Sequence, residues 1–581
     1  MPPQSPAVQP TNIDRGRQRL IAWRDADAGN WYWDNSVLRA LVGLHSPPDD
    51  TELEDRLRDY GQRIAAAEPL VHRCSHDPYL PTLERFDALG RRHERVRFDG
   101  SYHELGKIIY GSGVMALTGQ RGRAAEQAAL MILTAHHGEG GHTCPLACTA
   151  GLIKSIQQVG HPQLQRQLLP GLTDPQYATR LHGSQFLTEI QGGSDVGANA
   201  TAAQLLQPET ADQPALWALT GEKWFCSVID SPLYVLTARP AGAPEGTRGL
   251  GLFLVPHDLP ADGAVVAKAL AHQGGTPPDP VNHFSIRRLK HKLGTRAMAS
   301  GEVDWQGAHG WQLGAIDRGF ANAVEIVLNT SRVFNAMACA GVMWRAYWEA
   351  SGFARHRQAF GATIADFPSV DQAIAQLFAE ASAASASTID LAARADSGEH
   401  ALAVRIGINM NKYWTSVRAT QMVRQAMEVL AGNAAIEDFT PLGRLYRDCM
   451  VTEAWEGTHN VLAAQTWRDM HKLRLHSEWL VWMTPRAQAV SGPLGSLIGQ
   501  RLQLLDAQAA EVLAIADGGK AVLPTRAWME NAMIAHQAVC LAELAALDPS
   551  PIPVEVGLHW LALHPPRAAI AERGWWPQRS N

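Results

Sequence analysis

Seven cysteines in 581 residues, an odd number and widely scattered, do not make a disulfide framework. Their scarcity points to a reducing compartment, and the cytoplasm is the expected location. No run of eighteen apolar residues occurs, so no membrane-spanning helix is expected, and the first twenty residues are polar and proline-rich without a signal peptide's apolar core. An excess of positive charge is missing too: the formal net charge is −6, which gives no overall attraction for nucleic acid. Neither a GxGxxG turn nor a GxxxxGK[ST] loop is present, so the two commonest nucleotide cradles are absent. CxxC pairs and an HExxH helix are absent as well. The crowd of His136, His137, Glu139, His142, Cys144 and Cys148 therefore reads as a structural turn around its glycines, with no metal expected.

What is present is an ordinary globular composition, 46% hydrophobic and 19% charged, in a chain too long for one core. Residues 1–60 mix prolines with polar residues and suggest an irregular arm followed by short helices. Apolar residues at three and four spacing predict helices over 124–135 and 148–159. Short apolar runs at 217–227, 232–239 and 249–256, punctuated by Gly and Pro, predict strands of a small barrel or sandwich, with a Gly/Pro loop at 274–280. Helical periodicity returns after Arg318, with long helices expected over 321–357, 370–395 and 400–430 and a fourth after Glu456, which makes a four-helix bundle. Beyond about residue 475 the pattern stays helical but is punctuated by Pro485, Gly492, Pro493, Pro524 and prolines at 549–553. The expected division is a helical N-terminal domain (1–180), a β-barrel (181–305), a four-helix bundle (306–474) and an appended helical module (475–581).

Two segments suggest chemistry. In Trp455-Glu-Gly-Thr a carboxylate stands on a tight backbone, which suits Glu456 as a general base; the competing reading is a carboxylate capping the next helix. In Gln191-Gly-Gly-Ser-Asp successive backbone N–H groups around Gly192, Gly193 and Ser194 suit an anion nest, while the competing reading is an ordinary turn.

Taken in order, Thr188-Glu-Ile-Gln-Gly-Gly-Ser-Asp, Lys292-Leu-Gly-Thr-Arg, Arg357-Gln-Ala-Phe-Gly and Trp455-Glu-Gly-Thr resemble the acyl-CoA dehydrogenase superfamily over about residues 100–470. Within it the chain is most similar to the AidB-type, alkylation-response branch, through Lys223-Trp-Phe, Arg288-Leu-Lys-His-Lys-Leu-Gly, Ala426-Met-Glu-Val-Leu, the segment 85–98 and His142-Thr-Cys-Pro. The resemblance implies a mainly α fold with a central β-barrel and a C-terminal four-helix bundle, and FAD lying between barrel and bundle. It implies that Leu187 and Thr188 meet the flavin ring, that Phe225 walls it and that Ser227 donates to it. Arg357 and Phe360 match positions that reach the FAD of a neighbouring subunit, so a homodimer or homotetramer is implied. Thr458 and Asn460 would meet the far end of the cofactor, Ser194 the thioester tail and Arg332 the substrate side. Family chemistry gives Glu456 the α-proton of an acyl-CoA or related substrate while the β-hydride passes to flavin. Some relatives carry the base where this chain has Ser331, which is no carboxylate. Phe225, Pro368, Glu428, Ala431 and Ala434 depart from the mainstream pattern. Neither the acyl group nor the electron acceptor is specified. The alternative function is a flavin-containing DNA-binding protein with vestigial redox chemistry. It ranks second, because Arg486, Arg501, Lys520, Arg526 and Arg567 are dispersed among acidic residues and form no basic stripe.

Overall fold

The computed structural model describes residues 12–26, 29–259 and 281–567. The loop expected at 274–280 and the first eleven residues lie outside these. Helix begins sooner than the polar composition suggests, with α1 (Asn12–Ala26), α2 (Ser36–His45), α3 (Leu53–Ala65) and α4 (Glu68–Cys74). Asn35 starts α2 by accepting the Leu38 N–H at 2.9 Å. The front of the chain is not purely helical, as β1 (Thr82–Phe86) and β2 (Arg92–Arg97) form a hairpin. Its dense charge masks the strand period, and those charges dock it on the barrel: Arg95 reaches Asp258 at 3.0 Å, and buried Glu94 accepts the Ile286 N–H at 3.2 Å. Helices α5 (Gly100–Tyr110), α6 (Ala124–Ala135), α7 (Thr143–Val159) and α8 (Pro162–Leu172) follow.

Seven strands come next: β3 (Gly183–Phe186), β4 (Ala202–Gln207), β5 (Leu216–Ser227), β6 (Leu233–Pro240), β7 (Gly251–Pro256), β8 (Phe284–Leu289) and β9 (Ser300–Gln312). Pairing runs β6-β4-β5-β9-β7 and back to β6, which closes a five-stranded barrel; β3 adds to β6 and β8 to β9. Strands β6 and β7 read as unbroken apolar runs because both faces are buried. Alternate residues serve two cores: Tyr234, Leu236, Phe253 and Val255 fill the barrel with Trp305, whereas Leu233, Val235, Leu252 and Leu254 join the helical core.

The chain then enters α9 (Gly319–Asn322), a π-helical segment Ala323–Leu328, and α10 (Asn329–His356) without a break. After a small hairpin of β10 (Gln358–Ala359) and β11 (Ala362–Thr363) come α11 (Pro368–Ser397) and α12 (Ala401–Leu430). Pro368 at the first turn starts α11 two residues before the expected 370, and Gly398, left-handed at φ 77°, ends it as the sequence suggests. Buried alanines and serines let these helices approach closely; a Cβ on Gly341 of α10 would lie 2.3 Å from the Ile132 carbonyl oxygen of α6. Small polar residues tie them, with Trp344 Nε1 donating to Ser385 at 2.8 Å and Asn411 Nδ2 to Thr388 at 2.9 Å. Helices α13 (Leu442–Thr452) and α14 (His459–Leu473) flank Glu456, and both pack on α12.

The appended part holds α15 (Leu475–Gln488), α16 (Gly492–Leu513), α17 (Gly518–Ala545) and α18 (Glu555–Leu563). Pro485 and Pro524 do not interrupt it as expected: each lies inside a helix. Pro524 sits near the start of α17, whose first turn is capped by Asp517, and it is buried, so packing offsets one lost backbone hydrogen bond. α17 lies along α11, α12 and α14.

Candidate active site

Between the barrel and the helices opens a cavity of about 1200 Å³. Leu187, Thr188, Ser194, Phe225 and Ser227 line it from the barrel side, and Arg332, Glu456 and Thr458 from the helical side. Thus eight of the eleven residues singled out in the sequence converge on one space. The other three do not. Arg357 and Phe360 sit on the β10–β11 hairpin, where Phe360 is 99% exposed. Asn460 lies on α14, and its side-chain oxygen accepts from Arg526 at 3.5 Å.

The barrel wall is held by a buried ion pair. Lys223 Nζ lies 2.8 Å from Glu189, whose carboxylate also accepts the Ala200 and Thr201 N–H groups at 2.6 and 3.1 Å. Burial alone would raise the Glu189 carboxyl, but Lys223 and these donors bring it down to about 2. The Trp224 N–H donates to the Thr188 carbonyl at 2.9 Å, which locks the loop to β5. Glu189 to Gly192 is a turn, with the Gly192 N–H on the Glu189 carbonyl at 3.0 Å, and Gly193 and Ser194 pass from it into the cavity wall. A Cβ on Gly193 would lie 2.5 Å from Thr188 Oγ1, so only glycine lets the two segments meet there. Ser227 and Ser300 share a hydrogen bond of 3.2 Å, and Phe225, 39% exposed, presents its ring at the wall.

Glu456 has φ 59° and Gly457 φ 105°, a left-handed pair that turns the chain from α13 into α14. Such a conformation is costly for a non-glycine residue and must be held by its surroundings. Two cations hold it. Arg332 Nε donates to the Glu456 carbonyl at 3.1 Å, and Lys412 Nζ donates to the carbonyls of Glu453 and Gly457 at 2.8 and 3.1 Å. Arg332 is itself braced by Gln465 at 3.1 Å and Asn409 at 2.5 Å. The carboxylate accepts from Gln185 Nε2 at 2.7 Å. Thr458, two residues on, is the N-cap of α14, and no backbone N–H donates to the Glu456 side chain among the described residues, so the helix-capping reading does not hold. Burial raises the Glu456 carboxyl to about 7, against the pull of Arg332 and Lys412. Burial likewise lowers Lys412 to about 8. A carboxyl poised near neutrality at the edge of a large cavity suits proton abstraction.

Gln185 and Lys412 escaped the sequence reading although both left a signal. Gln185 is two residues before Leu187 and so shares its face at the end of β3. Lys412 is a lone cation in the buried run 406–416 of α12. The histidines at 136–142 diverge: His136 bonds the Ile132 carbonyl, His137 the Ile64 carbonyl and Glu68, and His142 the Tyr102 carbonyl. Cys144 and Cys148 lie on the cavity wall.

The sequence matches the acyl-CoA dehydrogenase C-terminal domain over residues 317–471, the acyl-CoA dehydrogenase middle domain over 184–307 and the adaptive response protein AidB N-terminal domain over 24–179. AidB of Escherichia coli (strain K12) is 31% identical over 437 residues, covering 72% of this chain and 74% of that protein. Acyl-CoA dehydrogenase family member 11 of Caenorhabditis elegans is 28% identical over 460 residues, 76% of this chain and 70% of that one. The crystal structure of Caenorhabditis elegans ACDH-11 in complex with C11-CoA superposes with a TM-score of 0.81 at 24% identity, over 92% of this chain and 91% of that chain. The period changes, the closed barrel between helical parts and these matches agree: the chain belongs to the acyl-CoA dehydrogenase family and to its AidB-like branch.

Proposed function

We propose that this chain is an FAD-dependent oxidoreductase that oxidises an acyl-CoA or related thioester, with Glu456 as the base. The observation that carries the reading is the Glu456 carboxyl, pushed up to about 7, on a strained turn facing a cavity of about 1200 Å³. That volume exceeds the roughly 300–1,000 Å³ of a single small-ligand pocket and leaves room for a cofactor and a substrate together. The residues present fit FAD: Leu187 and Thr188 offer an edge fixed to β5, Ser227 a hydroxyl, and Phe225 an accessible aromatic face. When bound there, FAD supplies the acceptor for the β-hydride.

The chain's own residues supply the rest. Above about pH 7 Glu456 is ionised and takes the α-proton. Arg332 and Lys412 keep its turn in place, and Leu328 and Trp455 give the cavity apolar walls beside it. Ser194, on the outer wall, is assigned to the thioester tail. The relative solved with C11-CoA supports the acyl-CoA class. Arg357 and Phe360, exposed on their hairpin, are assigned to the cofactor of a second subunit in a homodimer or homotetramer. Seven free, buried thiols favour the cytoplasm.

The nucleic-acid reading gains no support, because the arginines singled out in this part are each bound to other groups of the chain and are not gathered into a stripe. Arg486 pairs with Asp390 and Glu543 at 2.8 and 2.7 Å, Arg567 with Glu530 at 2.7 Å, and Arg501 is buried against Asn531. Phosphate binding needs such groups free and clustered.

The test is Glu456→Gln, which keeps size and removes the base. FAD content should persist while acyl-CoA-driven flavin bleaching, followed by stopped flow, falls by about 10² or more. Bleaching at the parental rate removes Glu456 from the mechanism.

A further inference from the structure

Arg332 on α10 and Lys412 on α12 both stand beside Glu456, yet Arg332 Nε and Lys412 Nζ donate to backbone carbonyls of residues 453–457, and the Arg332 Nη groups donate to the side chains of Asn329, Asn409 and Gln465. Glu453, the other acid at this turn, accepts from Thr420 and faces Lys412. Among the described residues the side-chain donor to the Glu456 carboxylate is therefore Gln185, on β3 of the barrel, at 2.7 Å. The same Nε2 lies 3.0 Å from Ser331 Oγ, and the Ser331 hydroxyl donates back to Gln185 Oε1 at 3.3 Å. An ionised carboxylate only accepts, so the amide must turn its NH2 group to Glu456. Ser331, buried on α10 next to Arg332, grips both ends of that amide and holds it so. The contact spans 271 residues of sequence and joins the barrel to the α13–α14 turn.

Resting on the reading of Glu456 as the base, we propose that Gln185 is its positioning residue: the amide, clamped by Ser331, aims the carboxylate into the cavity and favours its charged form. A hydrogen bond donated to a carboxylate opposes the raising effect of burial. Without it, only the charges of Arg332 and Lys412 oppose burial, and among the described residues neither makes a hydrogen bond to the carboxylate.

The experiment uses purified FAD-loaded protein, as parent, Gln185→Leu, Gln185→Met, Ser331→Ala and Glu456→Gln. Difference infrared spectra against pH follow the Glu456 carboxyl without any substrate, its band being the one that Glu456→Gln removes. Both Gln185 variants are expected to move the half-titration point upward by about one pH unit, the size of one charge-assisted hydrogen bond. Ser331→Ala should move it the same way by less, since the amide stays but is free to rotate. The rising limb of flavin reduction with an acyl-CoA should move with it. Ser331→Ala leaves the fold's packing almost intact and keeps the test open if the Gln185 variants do not accumulate. Titration curves that coincide with the parent's overturn the proposal. If the infrared shift occurs but no acyl-CoA reduces the parent's flavin, the Gln185–Glu456 link stands and the functional reading falls. A loss of FAD or of folding with an unmoved titration point would reveal a merely structural amide.

Discussion

Glu456 carries a thermodynamic signature separate from any reaction. Its folded carboxyl is raised to about 7 from its ordinary value of 4.5, so between those pH values the folded chain holds a proton that the unfolded chain has released. A raised acid therefore costs stability as pH climbs from 4.5 to about 7, and the cost is constant above that. Glu456→Gln removes it. The variant should match the parent below pH 4.5 and gain on the parent through the window, by on the order of 3 kcal/mol at pH 8. Chemical denaturation at several pH values reads this directly, and a difference that does not change with pH would mean an ordinary surface carboxylate. The motif around this residue was legible because Trp-Glu-Gly-Thr is contiguous. Gln185 was not, since its meaning depends on a partner 271 residues away. Lys412 hid for a related reason: one lysine in a helix reads as solvated until the helix proves buried all round.

At the level of elements, what the sequence made plain was period. Long helices with Gly398 as a stop and the apolar runs of β6 and β7 appeared where expected, because burial and chain direction dictate them locally. The β1–β2 hairpin did not, as its alternation is between charges that pair across the barrel rim. Nor did the loop from Leu187 to Ser194 disclose what holds it. Lys223 and Glu189 are both buried, and such a pair is costly to form but costlier to break from one side. Lys223→Met should leave Glu189 unpaired and destabilise the chain by about 3–5 kcal/mol. It should also loosen the Thr188 wall, so FAD retention through gel filtration should fall. A Lys223→Met, Glu189→Met double variant should recover much of the stability, and failure to do so would mean that the loop is held by its backbone bonds alone.

For the whole molecule, the appended helices complete the bundle on one side while the β10–β11 hairpin leaves another feature outside. Asp390 of α11 joins His536 of α17 and Arg486 of α15, each at 2.8 Å, so the C-terminal part is welded to α11. Among the described residues no such ion cluster holds the hairpin, whose Phe360 meets only the edge of Phe367: Phe360 and Gly361, at φ 52° and 84°, make a tight turn with both residues left-handed. Asparagine or glycine suits the first of those positions, and phenylalanine does not. Its ring is 99% exposed, so the fold of one chain gives no return for placing it there. A second subunit would, since burying a phenylalanine contributes about 1.5–3 kcal/mol. Neighbouring Arg357 adds a cation on the same projection. Phe360→Asp should therefore lower the assembly state in analytical ultracentrifugation and lower FAD content with it, while leaving the circular dichroism of the chain unchanged. A variant that becomes a stable monomer yet binds FAD as tightly as the parent would separate assembly from cofactor binding, and would return Arg357 and Phe360 to the surface.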